Sequence, residues 1–339
     1  MPLPRVSVII VSWNALPLLK QCLPSVVQTD YANLEIILAD NASTDGSSEW
    51  VAATYPDIRI ICHPDNWLFS RGNNVAMRQA TGDYVVLLNN DVETPPGWLQ
   101  PMVDAAIRDP NIAAVQPKIL QYARRDHFDY AGAAGGFLDR LGYPFARGRI
   151  FDQLEADHGQ YDDARDVDWG SGAALLLRRT ALDEVGILDE RFEMHMEEID
   201  LCWRLRRCGF RIMIEPASHV FHIGGGSLPR QSTRKLYYNF RNNLLMLYKN
   251  LPPHQWWRIF AQRLVFDSAA VLLALLRGRP SEAAAILRAY RDAHRLKRFY
   301  RDKRPSTASP TALPSYRRSV ILDHFLGRRK KYSDLPFRP

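Results

Sequence analysis

Tyr84-Val-Val-Leu-Leu-Asn-Asn-Asp91-Val-Glu-Thr-Pro-Pro-Gly97 is the stretch that decides the fold class. Val85 to Leu88 is an uninterrupted apolar run of strand length, as expected for a strand buried on both faces of a mostly parallel sheet flanked by helices. The run ends in two amides and a carboxylate, and Pro95-Pro96-Gly97 keeps the strand from continuing. In open α/β sheets, ligands bind in the crevice beyond the carboxyl ends of the strands. Residues i and i+2 of an extended segment share a face, so Asn89 and Asp91 are expected to point together into that crevice. One carboxylate and one neutral oxygen make a partial shell for Mg²⁺ or Mn²⁺, which diphosphate oxygens can complete. The plainer reading is a polar cap where strand becomes loop, and the flanking stretches weigh between the two.

Upstream, Val6 to Val11 and Leu34 to Ala39 are apolar runs separated by a helical pattern through Leu16, Leu19, Leu23 and Val27. That spacing predicts a βαβ unit. No G-x-G-x-x-G follows the first run, which counts against a nicotinamide-dependent dehydrogenase. The second run ends in Asp40-Asn-Ala-Ser-Thr-Asp-Gly-Ser47, a turn and helix start whose Asp40 is placed to accept from a base or ribose. Ile58 to Ile61 is a third strand. A helix is predicted over Gly72–Ala80, opening on Asn73 and Asn74, with free N–H groups suited to an anion or nucleotide.

Downstream, a helix over Gly97–Arg108 and a strand over Ile112–Val115 precede residues 120–165. This Gly-, aromatic- and charge-rich segment reads as an irregular lid on the acceptor side. Trp169-Gly170-Ser-Gly172 then offers an indole face for a sugar ring and glycines for close backbone approach; a core tryptophan is the competing reading. Glu197-Glu198-Ile-Asp200 opens a helix with more acid than the helix dipole needs. Clustered carboxylates repel one another, and repulsion raises at least one pKa toward that of a general base. Strand Phe210–Ile214 and Ser218 to Gly226 close the domain. His219 and His222 are three residues apart, so at most one reaches the crevice, and His222 is the better ligand candidate.

Charge divides the chain. Residues 1–226 hold 20 Lys and Arg against 31 Asp and Glu, while residues 227–339 hold 24 against 6. Such asymmetry points to a basic arm meeting an anionic surface. The cysteines show no C-x-x-C pairing, so neither a zinc site nor a disulfide frame is suggested, and a reducing cytoplasm is expected. The N-terminus lacks a signal-peptide layout, and no 18 consecutive apolar residues occur, so no transmembrane helix is predicted.

Taken in order, Val6–Asn14, Asp40–Ser47, Leu87–Asp91, Trp169–Gly172, Glu197–Cys202 and the His222 region resemble a family-2 inverting glycosyltransferase of the GT-A fold. The resemblance spans roughly residues 5–250, and the subgroup it suggests is that of bacterial rhamnosyltransferases. It implies a Rossmann-like sheet and transfer of a sugar from a dTDP-rhamnose or UDP-sugar donor to a saccharide or lipid-linked acceptor. Carried over by position, Asp40, Asn14, Asn66 and Asn73 fall in the nucleotide site. Asn89, Asp91 and His222 hold the diphosphate and its Mg²⁺ or Mn²⁺, Glu198 or Glu197 supplies the base, and Trp169, Gly170, Gly172 and Asp200 face acceptor or sugar. Two departures stand out: Glu198 occupies a position where the family usually has Asp, and the usual Asn-x-Gly-Phe loop reads Asn66-Trp67-Leu68-Phe69. A same-fold nucleotidyltransferase would want a Gly-rich basic first loop, which Ser12-Trp13-Asn14 is not. A non-catalytic nucleotide- or sugar-binding module tethered to membrane is the other alternative.

Beyond Pro252-Pro253 the pattern changes. The expected organisation is a catalytic domain over residues 1–250, an amphipathic helical appendage over 251–302 and a basic, flexible tail over 303–339. An amphipathic helix is predicted from Trp256 to about Leu276, interrupted by Arg263 and Asp267, with a second over Ser281–Arg298. Tryptophan, an apolar face and abundant arginine suggest docking on an anionic membrane surface from the cytoplasmic side. No aromatic-basic RNA motif occurs, so a nucleic-acid partner is not expected.

Overall fold

The computed structural model describes residues 3–224, 232–307, 309 and 314–337; Gly225 and Gly226 of the predicted closing segment lie outside them. The chain opens with β1 (Val6–Ser12), α1 (Leu16–Val27), β2 (Leu34–Asp40), α2 (Ser47–Thr54), β3 (Arg59–Cys62), α3 (Leu68–Gln79) and β4 (Tyr84–Asn89). After β4 come β5 (Val92–Glu93), α4 (Leu99–Arg108) and β6 (Ile112–Gln121). Four short strands follow, β7 (Gly136–Leu138), β8 (Pro144–Ala146), β9 (Arg149–Ile150) and β10 (Gln153–Leu154). The domain continues with β11 (Arg165–Asp166), β12 (Ala174–Arg178), α5 (Arg179–Val185), α6 (Glu197–Arg207) and β13 (Arg211–His222). The helices α7 (Thr233–Asn250), α8 (Pro253–Leu276), α9 (Pro280–Leu296) and α10 (Val320–Phe325) complete the chain.

The main sheet runs β11-β13-β6-β12-β4-β1-β2-β3, with β5 added on β13. Its β4-β1-β2-β3 half is parallel, as is the β13-β6 pair, while β12 runs antiparallel between β4 and β6. Alternation along β4 explains why its sequence is apolar throughout. Val85 and Leu87 join the cluster packed under α3, α6 and α7, whereas Val86 and Leu88 join the one under α1 and α4. A strand covered on both faces has no polar side. The chain runs outward from β1 through β2 to β3, then crosses back to β4 on the other side of β1. This reversal leaves a crevice at the carboxyl ends of β1 and β4, where Ser12 and Asn89–Asp91 lie.

Several expectations need correction. Residues 120–165 are not an irregular lid. They contain a second sheet, β10-β9-β8-β7, built on buried Phe137, Phe145 and Ile150. The tail is not wholly free: Tyr316, Tyr332 and Phe337 stack on Phe137 and Phe145, and Asp168 accepts from the Ser315 backbone N–H at 2.9 Å. Helix α3 begins at Leu68, four residues before the predicted start, because the Asn66 side chain accepts from the Leu68 N–H at 3.0 Å and starts the turn there. The arm helices start at Pro253 and Pro280, each with a proline in the first turn where no N–H partner is lost.

Candidate active site

The chain does not stay extended through Asn89-Asn90-Asp91. It turns at Asn90 and Asp91 and leaves as β5, so the expectation that Asn89 and Asp91 share a strand face is overturned. The turn has a consequence for the histidine. Val92 pairs with His222 across the β5–β13 ladder, and the Ile223 N–H donates to the Asp91 carbonyl at 2.9 Å. Residues separated by 131 positions are thereby clamped side by side. His222 Nε2 lies 3.2 Å from Asp91 Oδ1, and its Nδ1 lies 2.8 Å from Asp129 Oδ1, with all three side chains buried. Burial opposes a charged imidazole here, but the Asp91 and Asp129 carboxylates outweigh it and lift the His222 pKa to about 10. His219, which faces Lys118 across the sheet, has its pKa lowered by burial and stays outside this cluster.

The Asp129–His222–Asp91 line suits a divalent cation in part. A carboxylate on Nδ1 fixes the imidazole so that Nε2 faces Asp91, and with Nε2 unprotonated these two groups would hold the ion. Among the described residues no three His, Cys, Asp or Glu side chains form a cage that could hold an ion alone. Asn89 has its N–H on the Ala173 carbonyl at 3.0 Å, and the Asn90 amide donates to Ser12 Oγ at 3.2 Å, tying the tips of β4, β12 and β1 together.

Asp40, at the tip of β2, is buried. Its Oδ2 accepts from the Ser43 N–H at 3.1 Å, while Oδ1 has no hydrogen-bond partner. An unsatisfied buried carboxylate oxygen costs free energy, and an N–H of a ligand base would relieve it. Asn14 spends its side-chain oxygen on the Thr44 N–H at 2.7 Å, so it braces the first loop against the second. Asn66 caps α3 and, with Trp67, Leu68, Arg71, Glu190, Arg191 and Glu193, lines a cleft beside it. Asn73 is corrected: because α3 starts early, it lies inside the helix, buried, donating to the Phe69 carbonyl at 2.9 Å.

Glu197 and Glu198 open α6 against the Gly172 loop. A Cβ on Gly172 would lie 3.8 Å from the Glu198 Cβ, an ordinary contact, but 2.9 Å from the Phe69 ring, so a side chain there would have to displace Phe69. Burial raises the Glu197 carboxyl well above its ordinary pKa, and the neighbouring Glu198 charge adds to it. Burial lifts Glu198 to about 7 even though backbone N–H groups, Gly172 among them, pull it down. Oε2 of each carboxyl is buried without a hydrogen-bond partner. Since Ala173 carries the β4 tip, the acids stand on the same rim as Asn89.

Three assignments fall to the core instead. Trp169 is buried, its indole N–H donating to the Phe137 carbonyl at 3.0 Å and its ring filling the space over Gly136. Asp200 is fully buried and holds Arg204 at 2.9 Å, Lys249 at 2.7 Å and Asn250 at 2.8 Å, which fastens α7 to α6. Gly170 gives way to Leu175 and Gln116 rather than to a cleft.

Sequence reading missed two features. Asp129 lies in a stretch with no telling spacing. The other is a clamp on α7. Before α6 the chain takes left-handed φ values at Glu193 (64°), His195 (66°) and Met196 (73°). The two N–H groups of the Asn242 amide are shared among the carbonyls of Phe192, Met194 and His195 at 2.8, 2.9 and 2.7 Å, and Tyr238 and Arg241 hold the Glu193 carboxylate. Asn242-Asn243 inside a helix was the available signal, because asparagine is a poor helix former.

A model of the family described as Glycosyl transferase family 2 matches residues 7–162. Residues 7–162 are thus similar to a family-2 glycosyltransferase domain. The N-acetylglucosaminyl-diphospho-decaprenol L-rhamnosyltransferase of Mycobacterium tuberculosis is 29% identical over 270 residues, 74% of this chain and 86% of that protein. The O-antigen biosynthesis protein RfbC of Myxococcus xanthus is 29% identical over 225 residues, 65% of this chain and 17% of that one. Among solved structures, the mannosyltransferase PcManGT from Pyrobaculum calidifontis, in complex with GDP-Man and Mn²⁺, superposes with a TM-score of 0.52 at 17% identity, covering 86% of this chain and 87% of its own. GalNAc-T7 with UDP, GalNAc and Mn²⁺ gives 0.59 at 15% identity, covering 88% and 58%. The fold is that of the GT-A glycosyltransferases, and it extends beyond residue 162.

Proposed function

We propose that this family-2 domain transfers a sugar from a nucleoside-diphosphate sugar, dTDP-rhamnose or a UDP-sugar, to a hydroxyl of a saccharide or lipid-linked acceptor, with inversion. The observation that carries the reading is the shared rim: the Asp91–His222 pair closes the tips of β5 and β13, and Glu198, whose Oε2 is buried without a hydrogen-bond partner, packs on the Gly172 loop that leads to the β4 tip. The resemblance to a rhamnosyltransferase acting on a diphospho-decaprenol acceptor supports rhamnose and a lipid-linked acceptor as first choices.

Asp40 receives the base through its open Oδ1, and the loop after β2 faces the ribose and phosphates. A Mg²⁺ or Mn²⁺ ion on the diphosphate would be held by Asp91 and His222 and would supply charge stabilisation for the leaving group. Glu198, or Glu197 beside it, takes the proton from the acceptor hydroxyl. The hydroxyl oxygen forms the new bond to the anomeric carbon as the bond to the nucleoside diphosphate breaks. One displacement with no protein nucleophile inverts the configuration. Residues 1–250 form the catalytic unit in this reading, and the helices after it serve the acceptor at the cytoplasmic membrane face.

The test is Glu198→Gln with labelled dTDP-rhamnose and UDP-sugars in the presence of Mn²⁺. Transfer is expected to vanish while donor affinity stays within a few-fold. Equal loss of both assigns Glu198 to binding or folding and removes it as the base.

A further inference from the structure

Helix α8 packs with its polarity reversed. Its buried residues are Trp256, Arg263, Asp267 and Ala274. Arg263 donates to Asp267 at 3.1 Å and stacks over Tyr143 at 3.9 Å, while the hydroxyls of Tyr143 and Tyr290 donate to the same carboxylate at 2.7 and 2.5 Å. The residues that interrupt the apolar pattern in the sequence are thus the ones fastened to the protein.

The outward side is apolar. Trp257, Leu264, Val265, Leu272, Leu275 and Leu276 lie exposed, Val265 by 70% and Leu276 by 76%. Their spacing places them on one stripe of the helix. The most apolar 18-residue window of α8 has a mean hydropathy of 1.8, and only 17% of it is buried. The only acid on the helix is the inward Asp267, while exposed Arg258 stands near one end and Arg277 and Arg279 stand just beyond the other.

By length and composition α8 is sufficient to cross a membrane. Crossing, however, would pull Arg263 and Asp267 off Tyr143 and Tyr290 into hydrocarbon, where a charged side chain is strongly disfavoured. A helix pinned lengthwise to its domain, apolar outward and with arginines at its ends, fits a bilayer surface lying in its plane. An indole at one end of the stripe suits the headgroup boundary, and Arg258 and Arg277 at its two ends match anionic headgroups, while Arg279 is paired with Glu282 at 3.4 Å.

We infer that the outward face of α8 is a docking surface for an anionic lipid leaflet, with the helix parallel to the membrane and the ion pair turned inward. Its biological use rests on the lipid-linked acceptor proposed above. Membrane binding is read without turnover, so either can fail alone. The full chain is floated with vesicles of phosphatidylcholine, alone or mixed with phosphatidylglycerol. Flotation with the mixed vesicles is expected, weakening with salt. Val265→Glu and Leu272→Glu should each lower the bound fraction about ten-fold or more with an unchanged melting temperature, while Ile107→Glu, at an exposed position of α4, leaves it unchanged. Absence from both floating fractions overturns the inference, as does undiminished flotation of Val265→Glu. So does a dimer in solution that Val265→Glu dissociates, which assigns the face to a second copy of the chain. Equal flotation with pure phosphatidylcholine overturns the anionic preference.

Discussion

Replacing Asn242 tests how the base is held. The turn from Glu193 to Met196 contains three non-glycine residues at left-handed φ, each disfavoured by roughly 1–2 kcal/mol. One amide nitrogen within 2.9 Å of three carbonyls offsets that strain. Each net hydrogen bond contributes about 1 kcal/mol, and a buried carbonyl left without a donor costs about 1–3 kcal/mol. Asn242→Leu, which keeps the branched shape and deletes the donors, should therefore release on the order of 3 kcal/mol of restraint, comparable to the strain it holds. Met196 is the residue before α6, so a relaxed turn displaces Glu197 and Glu198 directly. A catalytic group misplaced by about 1 Å loses about 100-fold in rate. Nucleoside diphosphate release, measured with saturating acceptor, should show kcat down by about that factor, with the donor KM within a few-fold because Asp40 and Asp91 lie on other elements. A clamp that merely stabilises the fold would lower the melting temperature and leave kcat of the folded fraction intact. That outcome, or kcat within three-fold of the parent, refutes the reasoning.

Two further expectations concern charge. Glu198 has its pKa raised by burial to about 7, so transfer should rise with pH through that value. By linkage, a carboxyl raised in the folded state contributes stability fully present below its unfolded pKa and lost as pH rises through the folded one. Glu198→Gln should accordingly raise the melting temperature at pH 8 and leave it nearly unchanged at pH 4; equal shifts at both would contradict the burial argument. Asp129→Asn removes the carboxylate that orients His222, so Mn²⁺ affinity in the presence of donor should fall by about 10–100-fold. Calorimetric titration giving an unchanged affinity would exclude Asp129 from the metal line.

The sequence by itself determined the first four strands to within a residue or so at each end, because a strand covered on both faces must be apolar and a polar break with prolines must end it; β6 runs on to Gln121, past its predicted end, and the short strands β7 to β11 were not legible. Val85 to Leu88 stopping at Asn89, and the acids opening α6, follow from local pattern and helix electrostatics. It also carried Asp40, Asp91, Glu198 and His222 to the sheet's rim through resemblance. Only the tertiary structure decided which of those groups face one another. His222 meets Asp91 through a ladder joining β5 to β13, and meets Asp129 through a stretch that reads as loop until its small sheet forms. Trp169 and Asp200 look functional in sequence and are packing groups in space, since a buried indole N–H or carboxylate advertises itself equally whether its partner is a ligand or the protein. Helix α8 shows the same limit: Arg263 and Asp267 mark its inside, and no periodicity says which face the rest of the chain will cover.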